Sequence, residues 1–310
     1  MAKLLLNRRP QSVLQTAATV LLIISYLAGV NLGGPIATMA ACVAIVLIGL
    51  PHGTLDIELI KHERATHRHG LMVVLLTYLG LALAMYGAWR VAPIAALATF
   101  LIVAVIHFAE DWDELGSAFL AQGVAIALLT APTLLHRVEL ENLFVALTGH
   151  GDARVVSSVM LLLAPVSLAV ASVAVVALWR DGHRHSALIA TSVLVGMVVL
   201  PPVIGFAAFF CLYHSPRHLG SALARVARST YARRIIPLLT FAALGITAAL
   251  FALETRADVP AQVVAASFMI LSLLTVPHML VPTIVAAFHH RAASGRRRPD
   301  QAQLHSAKGF

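Results

Sequence analysis

Five histidines stand at the ends of, or inside, long apolar runs: Pro51-His52-Gly53, Ile106-His107-Phe108, Tyr213-His214-Ser215-Pro216-Arg217-His218 and Pro277-His278. Imidazole is a poor guest in hydrocarbon, so several of them at membrane depth point to a shared occupant that offsets their desolvation. A metal ion fills that role. His214 and His218 are four residues apart, which turns two imidazoles toward one helix face, although Pro216 could instead open a new helix with Ser215 as its cap. Carboxylates recur at helical spacing from the histidines. Asp56 lies one turn from His52, and Glu110 and Asp111 follow His107 at i+3 and i+4. Such a carboxylate orients a ligand imidazole by accepting its second N–H. Arg217 has two equal readings, a partner for a carboxylate or for a lipid headgroup. His278, one turn before Pro282, has three: a ligand, an orienting donor or a hydrogen bonder filling a kink. Neutral imidazoles without thiolates suit Fe(II), Zn(II) or Cu, and the carboxylates lean toward iron.

The elements that carry these residues are membrane helices. Of 310 residues, 59% are apolar and 12% charged, and the mean hydropathy is +0.87. A soluble domain is excluded on composition. Windows of about 20 residues, enough to cross roughly 30 Å of hydrocarbon, fall near 13–32, 36–58, 71–91, 94–111, 116–135, 155–178, 187–213, 235–254 and 261–288. The fold expected is all-α: a polytopic membrane bundle of eight or nine spans with almost no domain outside the bilayer. Residues 1–12 form a basic cytoplasmic N-terminus leading into a retained first span, 13–290 the helical catalytic domain, and 291–310 a basic, disordered tail. The expected location is the inner (plasma) membrane.

The net charge of +8 does not call for nucleic acid. Its basic residues collect in short clusters, Lys3 to Arg9, Lys61 to Arg68, Arg217 to Arg234 and Arg291 to Arg298, as the positive-inside bias places them beside anionic headgroups. Counting crossings between those clusters puts His52 and His107 near the cytoplasmic ends of their spans. One of the windows 116–135, 155–178 and 187–213 is then miscounted, re-entrant or broken, and Pro201-Pro202 suits a break. Cys42 and Cys211 read as small buried hydrophobes. Histidines 62, 67, 69, 136, 150, 183, 185, 289, 290 and 305 read as solvated or facing headgroups, and Phe100, Phe108, Phe206, Phe209, Phe210 and Tyr213 as walls of a cavity or packing residues.

The motifs Pro51-His52-Gly53-Thr54-Leu55-Asp56, His107-Phe108-Ala109-Glu110-Asp111, His214-Ser215-Pro216-Arg217-His218 and Pro277-His278, in this order, resemble those of the Brp/Blh family of membrane carotenoid oxygenases. The resemblance implies cleavage of β-carotene by O2 at its 15,15′ double bond to two molecules of retinal. It implies His52, His107, His214 and His218 as ligands of ferrous iron, Fe(2+), with Asp56, Glu110, Asp111 and His278 as neighbouring motif positions. It also implies a functional link to a retinal-binding rhodopsin. Ala109 replaces the family's glycine, a small-for-small change. A C40 polyene dissolves in the bilayer, so a chain made of spans can receive it laterally through an apolar tunnel. No glycine-rich nucleotide fingerprint is present.

Rival classes make different demands. An opsin needs a lysine within a span, but the lysines are Lys3, Lys61 and Lys308, outside the strong spans. A metal transporter would also carry intramembrane histidines and acids, as permeation sites. A His-box desaturase or hydroxylase would carry more histidine pairs than His214/His218, and a noncatalytic assembly factor would tolerate loss of the histidines.

Overall fold

The computed structural model describes residues 8–48, 68–218 and 259–295, which are helical throughout apart from short turns and contain no strand. The helices are α1 (Arg8–Leu27), α2 (Pro35–Ile48), α3 (Arg68–Val91), α4 (Pro93–Ala109), α5 (Ala118–Thr130), α6 (Arg137–Thr148), α7 (Arg154–Arg180), α8 (Arg184–Val199), α9 (Pro202–Ala207) and α10 (Val259–Gly295). The all-α expectation holds. The expected tail from residue 291 begins inside α10, and residues 296–310 lie outside the described part.

Helix ends follow local chemistry. Pro93 opens α4, where its missing N–H has no helical partner to lose. At Glu110–Leu115 the chain tightens into a 3-10 turn that ends on Gly116 at φ 61°, a left-handed conformation that glycine adopts freely. The Ser117 hydroxyl then accepts the Leu120 N–H and starts α5. The window 187–213 is broken as its proline pair suggests. Leu200 and Pro201 are extended because consecutive prolines cannot sustain the helical ladder. His136 Nε2 donates to the Val199 carbonyl at 2.9 Å, satisfying an acceptor at the frayed end. His136 is therefore a buried structural residue, not the solvated one its sequence setting suggests.

A second break lies near the 116–135 window. The chain bends by 106° between Ala118–Leu134 and Arg137–Thr148, so α6 turns across the bundle. Among the described residues, Pro93–Leu115, Gly151–Arg180 and Ala261–Val281 are long and apolar enough to cross a membrane, and the bent pair would make a fourth span. Val13–Leu27, Pro35–Ile48 and Arg184–Val199 are shorter apolar helices. The window 235–254 and the second half of 36–58 lie outside the described residues. Outward positions such as Phe119, Leu162 and Val166 are exposed and apolar, as lipid contact requires.

α10 is the helix against which the site is built. It packs on α3, α4 and α6. The Trp89 indole N–H donates to Ser272 Oγ at 2.8 Å and the Tyr78 hydroxyl to the Leu274 carbonyl at 3.2 Å. α5 packs on α7 so closely that a Cβ at Gly123 would lie 2.3 Å from Val170 Cγ1, the close approach that small residues permit between membrane helices. Gly123→Ala is expected to destabilise the fold by about 1–3 kcal/mol, read as a lower thermal midpoint in detergent. Val170→Ala in the same chain is expected to restore part of the loss, and an unchanged midpoint for the single variant would contradict this packing.

Candidate metal centre

Four histidines and one aspartate from distant parts of the chain meet at one end of the bundle. His107 sits in the last turn of α4 and Asp111 in the following 3-10 turn. His214 ends a π-helical stretch, Ala208–His214, with His218 one turn on. α10 brings His278, whose ring lies 4.8 Å from that of His107. The His107 and His214 rings are 4.7 Å apart, as are those of His214 and His218. His52 and Asp56, the remaining sequence candidates, lie outside the described residues.

Asp111 is the hub. Its side chain is 0% exposed, as is that of His214. An ionised carboxylate only accepts, so His214 Nδ1 donates to Asp111 Oδ2 at 2.6 Å and His218 Nε2 to Asp111 Oδ1 at 3.0 Å. With its proton on Nδ1, His214 turns the lone pair of Nε2 toward His107 Nε2, 3.1 Å away. This is the carboxylate–imidazole pairing that fixes a metal ligand's tautomer.

Helical spacing predicts both acids beside His107, and here the structure differs. Glu110 Oε2 does lie 3.5 Å from His107 Nδ1. Asp111 instead serves His214 and His218. The cause is the change of helix type after Ala109: a 3-10 turn has about three residues per turn, so i+3 overlies the histidine while i+4 swings past it. Ser215 is helical at φ −63°, ψ −42°, and its N–H reaches back to the Phe210 carbonyl. It therefore does not cap a new helix. The i,i+4 spacing of His214 and His218 survives Pro216 because the wider π turn precedes it.

Further contacts hold the two histidine-bearing segments together. The Tyr213 hydroxyl donates to the Asp111 carbonyl at 3.2 Å and its ring stacks on Trp112 at 5.2 Å. Arg217 donates to Asp113 at 2.5 Å, which settles its two readings for the carboxylate. The roles of Tyr213 and Trp112 had no signal in the sequence, because they depend on a contact between residues a hundred positions apart.

The donor set fits a divalent cation. Two imidazole nitrogens each about 2.1 Å from an ion stand roughly 3.0–3.4 Å apart at bond angles of about 90–109°, and the His107–His214 separation of 3.1 Å falls within that range. Asp111, His214 and His218 each offer a ligand atom, all within 4.8 Å of one another. Ser215 Oγ and Trp112 Nε1, buried beside them, have no hydrogen-bond partner among the described residues.

Phe108, Phe209 and Phe210 surround His214, with ring centroids 4.9, 5.8 and 5.4 Å from its own. Phe108 also lines an apolar cavity of about 60 Å³, so it stands between that cavity and His214. Phe100, Phe108 and Phe206 line this cavity, as do Phe144, Met197 and Phe268. Phe209, Phe210 and Tyr213 are not in its wall and pack around the cluster instead.

Comparison with known proteins identifies the family. The family model described as "Beta-carotene 15,15'-dioxygenase" matches residues 43–285. A protein named "Beta-carotene 15,15'-dioxygenase", from an uncultured marine bacterium, is 27% identical over 257 residues, covering 78% of this chain and 91% of its own length. A "Probable beta-carotene 15,15'-dioxygenase Blh" of Halobacterium salinarum is 29% identical over 246 residues, 70% of each chain. No solved structure matches.

If Asp111 orients the imidazoles, Asp111→Asn is expected to weaken divalent-metal binding by about 10–100-fold while the helical circular-dichroism spectrum is kept. Equilibrium dialysis of the purified protein against Fe(II) checks it; undiminished affinity would remove Asp111 from the centre.

Proposed function

The chain belongs to the beta-carotene 15,15'-dioxygenase family, and on that premise we propose that it cleaves β-carotene at the central double bond with O2, giving two molecules of retinal. The observation that carries this reading is the meeting of an imidazole–carboxylate cluster with an apolar cavity through one side chain, Phe108. The overall change balances as C40H56 + O2 → 2 C20H28O. Both bonds of the central C=C break, each carbon gains one oxygen, and the four electrons that reduce O2 come from the alkene. No flavin or nicotinamide is required.

His107, His214 and His218 would hold ferrous iron, together with His52. The bound iron would supply the binding and activation of O2. The chain's own residues do the rest. Asp111 keeps a proton on His214 Nδ1 and on His218 Nε2, so that His214 faces His107 through a lone pair. The buried phenylalanines exclude water from the cluster and offer the polyene an apolar wall. Holding the reacting bond next to the cluster is worth a large part of the acceleration, because position replaces a chance encounter.

The protein acts within the membrane that dissolves its substrate, in this reading the inner (plasma) membrane, with the N-terminus cytoplasmic and residues 13–290 as one catalytic unit. Retinal leaving it would serve a retinal-binding rhodopsin in the same cell.

Expression in bacteria that accumulate β-carotene, followed by chromatography of the pigments, is expected to give retinal with the unaltered chain and none with His107→Ala or His214→Ala, each still present in the membrane. Purified protein stripped with a chelator is expected to regain activity with Fe(II). Persistent β-carotene beside a membrane-inserted wild-type chain would favour a desaturase or hydroxylase acting on another lipid, or a transporter.

A further inference from the structure

We propose that α6, lying across the end of the apolar cavity remote from the histidines, is a stop that measures one half of the polyene and so selects the bond that is cut. This rests on the carotene-cleaving reading above.

The direction of four chain segments places α6 at that end. In α4, Leu97 lines the cavity and His107 follows ten residues later; in α10, Phe268 lines it and His278 follows ten residues later. Pro202 is also in the wall, and the chain from it reaches His214 twelve residues on. Each of these stretches therefore runs from the far part of the cavity to the cluster. α5 runs the other way. It starts directly after the turn that carries Asp111 and finishes at Leu129 and then Pro132, both in the cavity wall. The 106° bend follows, and α6 crosses the end. Leu140, Phe144 and Leu147 are buried and line the cavity from one face of α6, at i, i+4 and i+7.

The run of helix from the far wall of the cavity to the cluster matches half a substrate in length. Ten helical residues at 1.5 Å of rise cover about 15 Å. From its central bond outward, β-carotene is nine carbon–carbon bonds of extended chain and one ring, a length of the same order; the whole molecule needs twice that. With one ring against α6, the central double bond comes level with the histidines and the two products are equal. Room added at α6 lets the ring go deeper, and the bond presented to the cluster moves toward the outer end. Products then become one longer and one shorter aldehyde.

The test compares wild type, Phe144→Ala and Leu140→Ala in membranes containing β-carotene, and reads the ratio of unequal apocarotenals to retinal. Each variant is expected to raise that ratio about tenfold or more, the scale on which apolar pockets discriminate. Wild type is also given an apocarotenal that keeps one β-ring and is shortened at the other end, and is expected to cut the same bond counted from the ring. Phe144→Ala and Leu140→Ala that turn over β-carotene to retinal alone would overturn the stop. So would a cut in the shortened substrate whose position follows its truncated end, a result that needs no variant to fold. A wild-type chain that cleaves neither substrate would overturn the carotene-cleaving reading itself, and the stop with it.

Discussion

A carboxylate withdrawn from solvent inside an apolar bundle must be surrounded by donors, and Asp111 is that carboxylate. Charges of this kind are stable only when paired and hydrogen-bonded; removing one partner of a buried pair destabilises by about 3–5 kcal/mol. The donors it finds are the His214 and His218 imidazoles, and satisfying it fixes the tautomer of both rings. The same interaction thus ties two remote chain segments together and leaves His214 Nε2 facing His107 Nε2.

Departures from regular helix concentrate around that contact. The 3-10 turn after Ala109 swings Asp111 away from its own histidine, and the π stretch before Ser215 keeps His214 and His218 on one side. Trp112, at φ −113° and ψ 32°, marks the kink, and its stacking on Tyr213 joins the two irregular segments. Helices of uniform pitch would give the cluster neither geometry. π-Helical turns recur at functional sites for this reason: an extra residue redirects side chains without ending the helix.

Much of this was legible in the sequence. Hydropathy and the scarcity of charge gave the helical membrane class, and the proline pair gave the break after Val199. His107, His214, His218 and His278 stood out because imidazoles are costly in apolar runs, and all four converge. Periodicity misled at Asp111, since i+4 stacking presumes an α-helix that has already ended. It also gave no sign that α6 turns across the bundle, because a leucine-rich amphipathic stretch reads alike whether it borders a membrane or closes a cavity. His136 looked like a solvated loop residue, and only the position of the Val199 carbonyl, 63 residues away in sequence, explains its burial.

In the proposed centre His107, His214 and His218, oriented by Asp111, hold one ferrous ion beside the cavity. X-ray absorption at the iron edge, on protein purified and loaded without oxygen, reads that ligand set. Near-stoichiometric iron bound by nitrogen and oxygen alone is expected, with an outer-shell imidazole signal that weakens in a His218→Ala sample. Sulfur neighbours, or a wild-type spectrum indistinguishable from iron free in buffer, would contradict it.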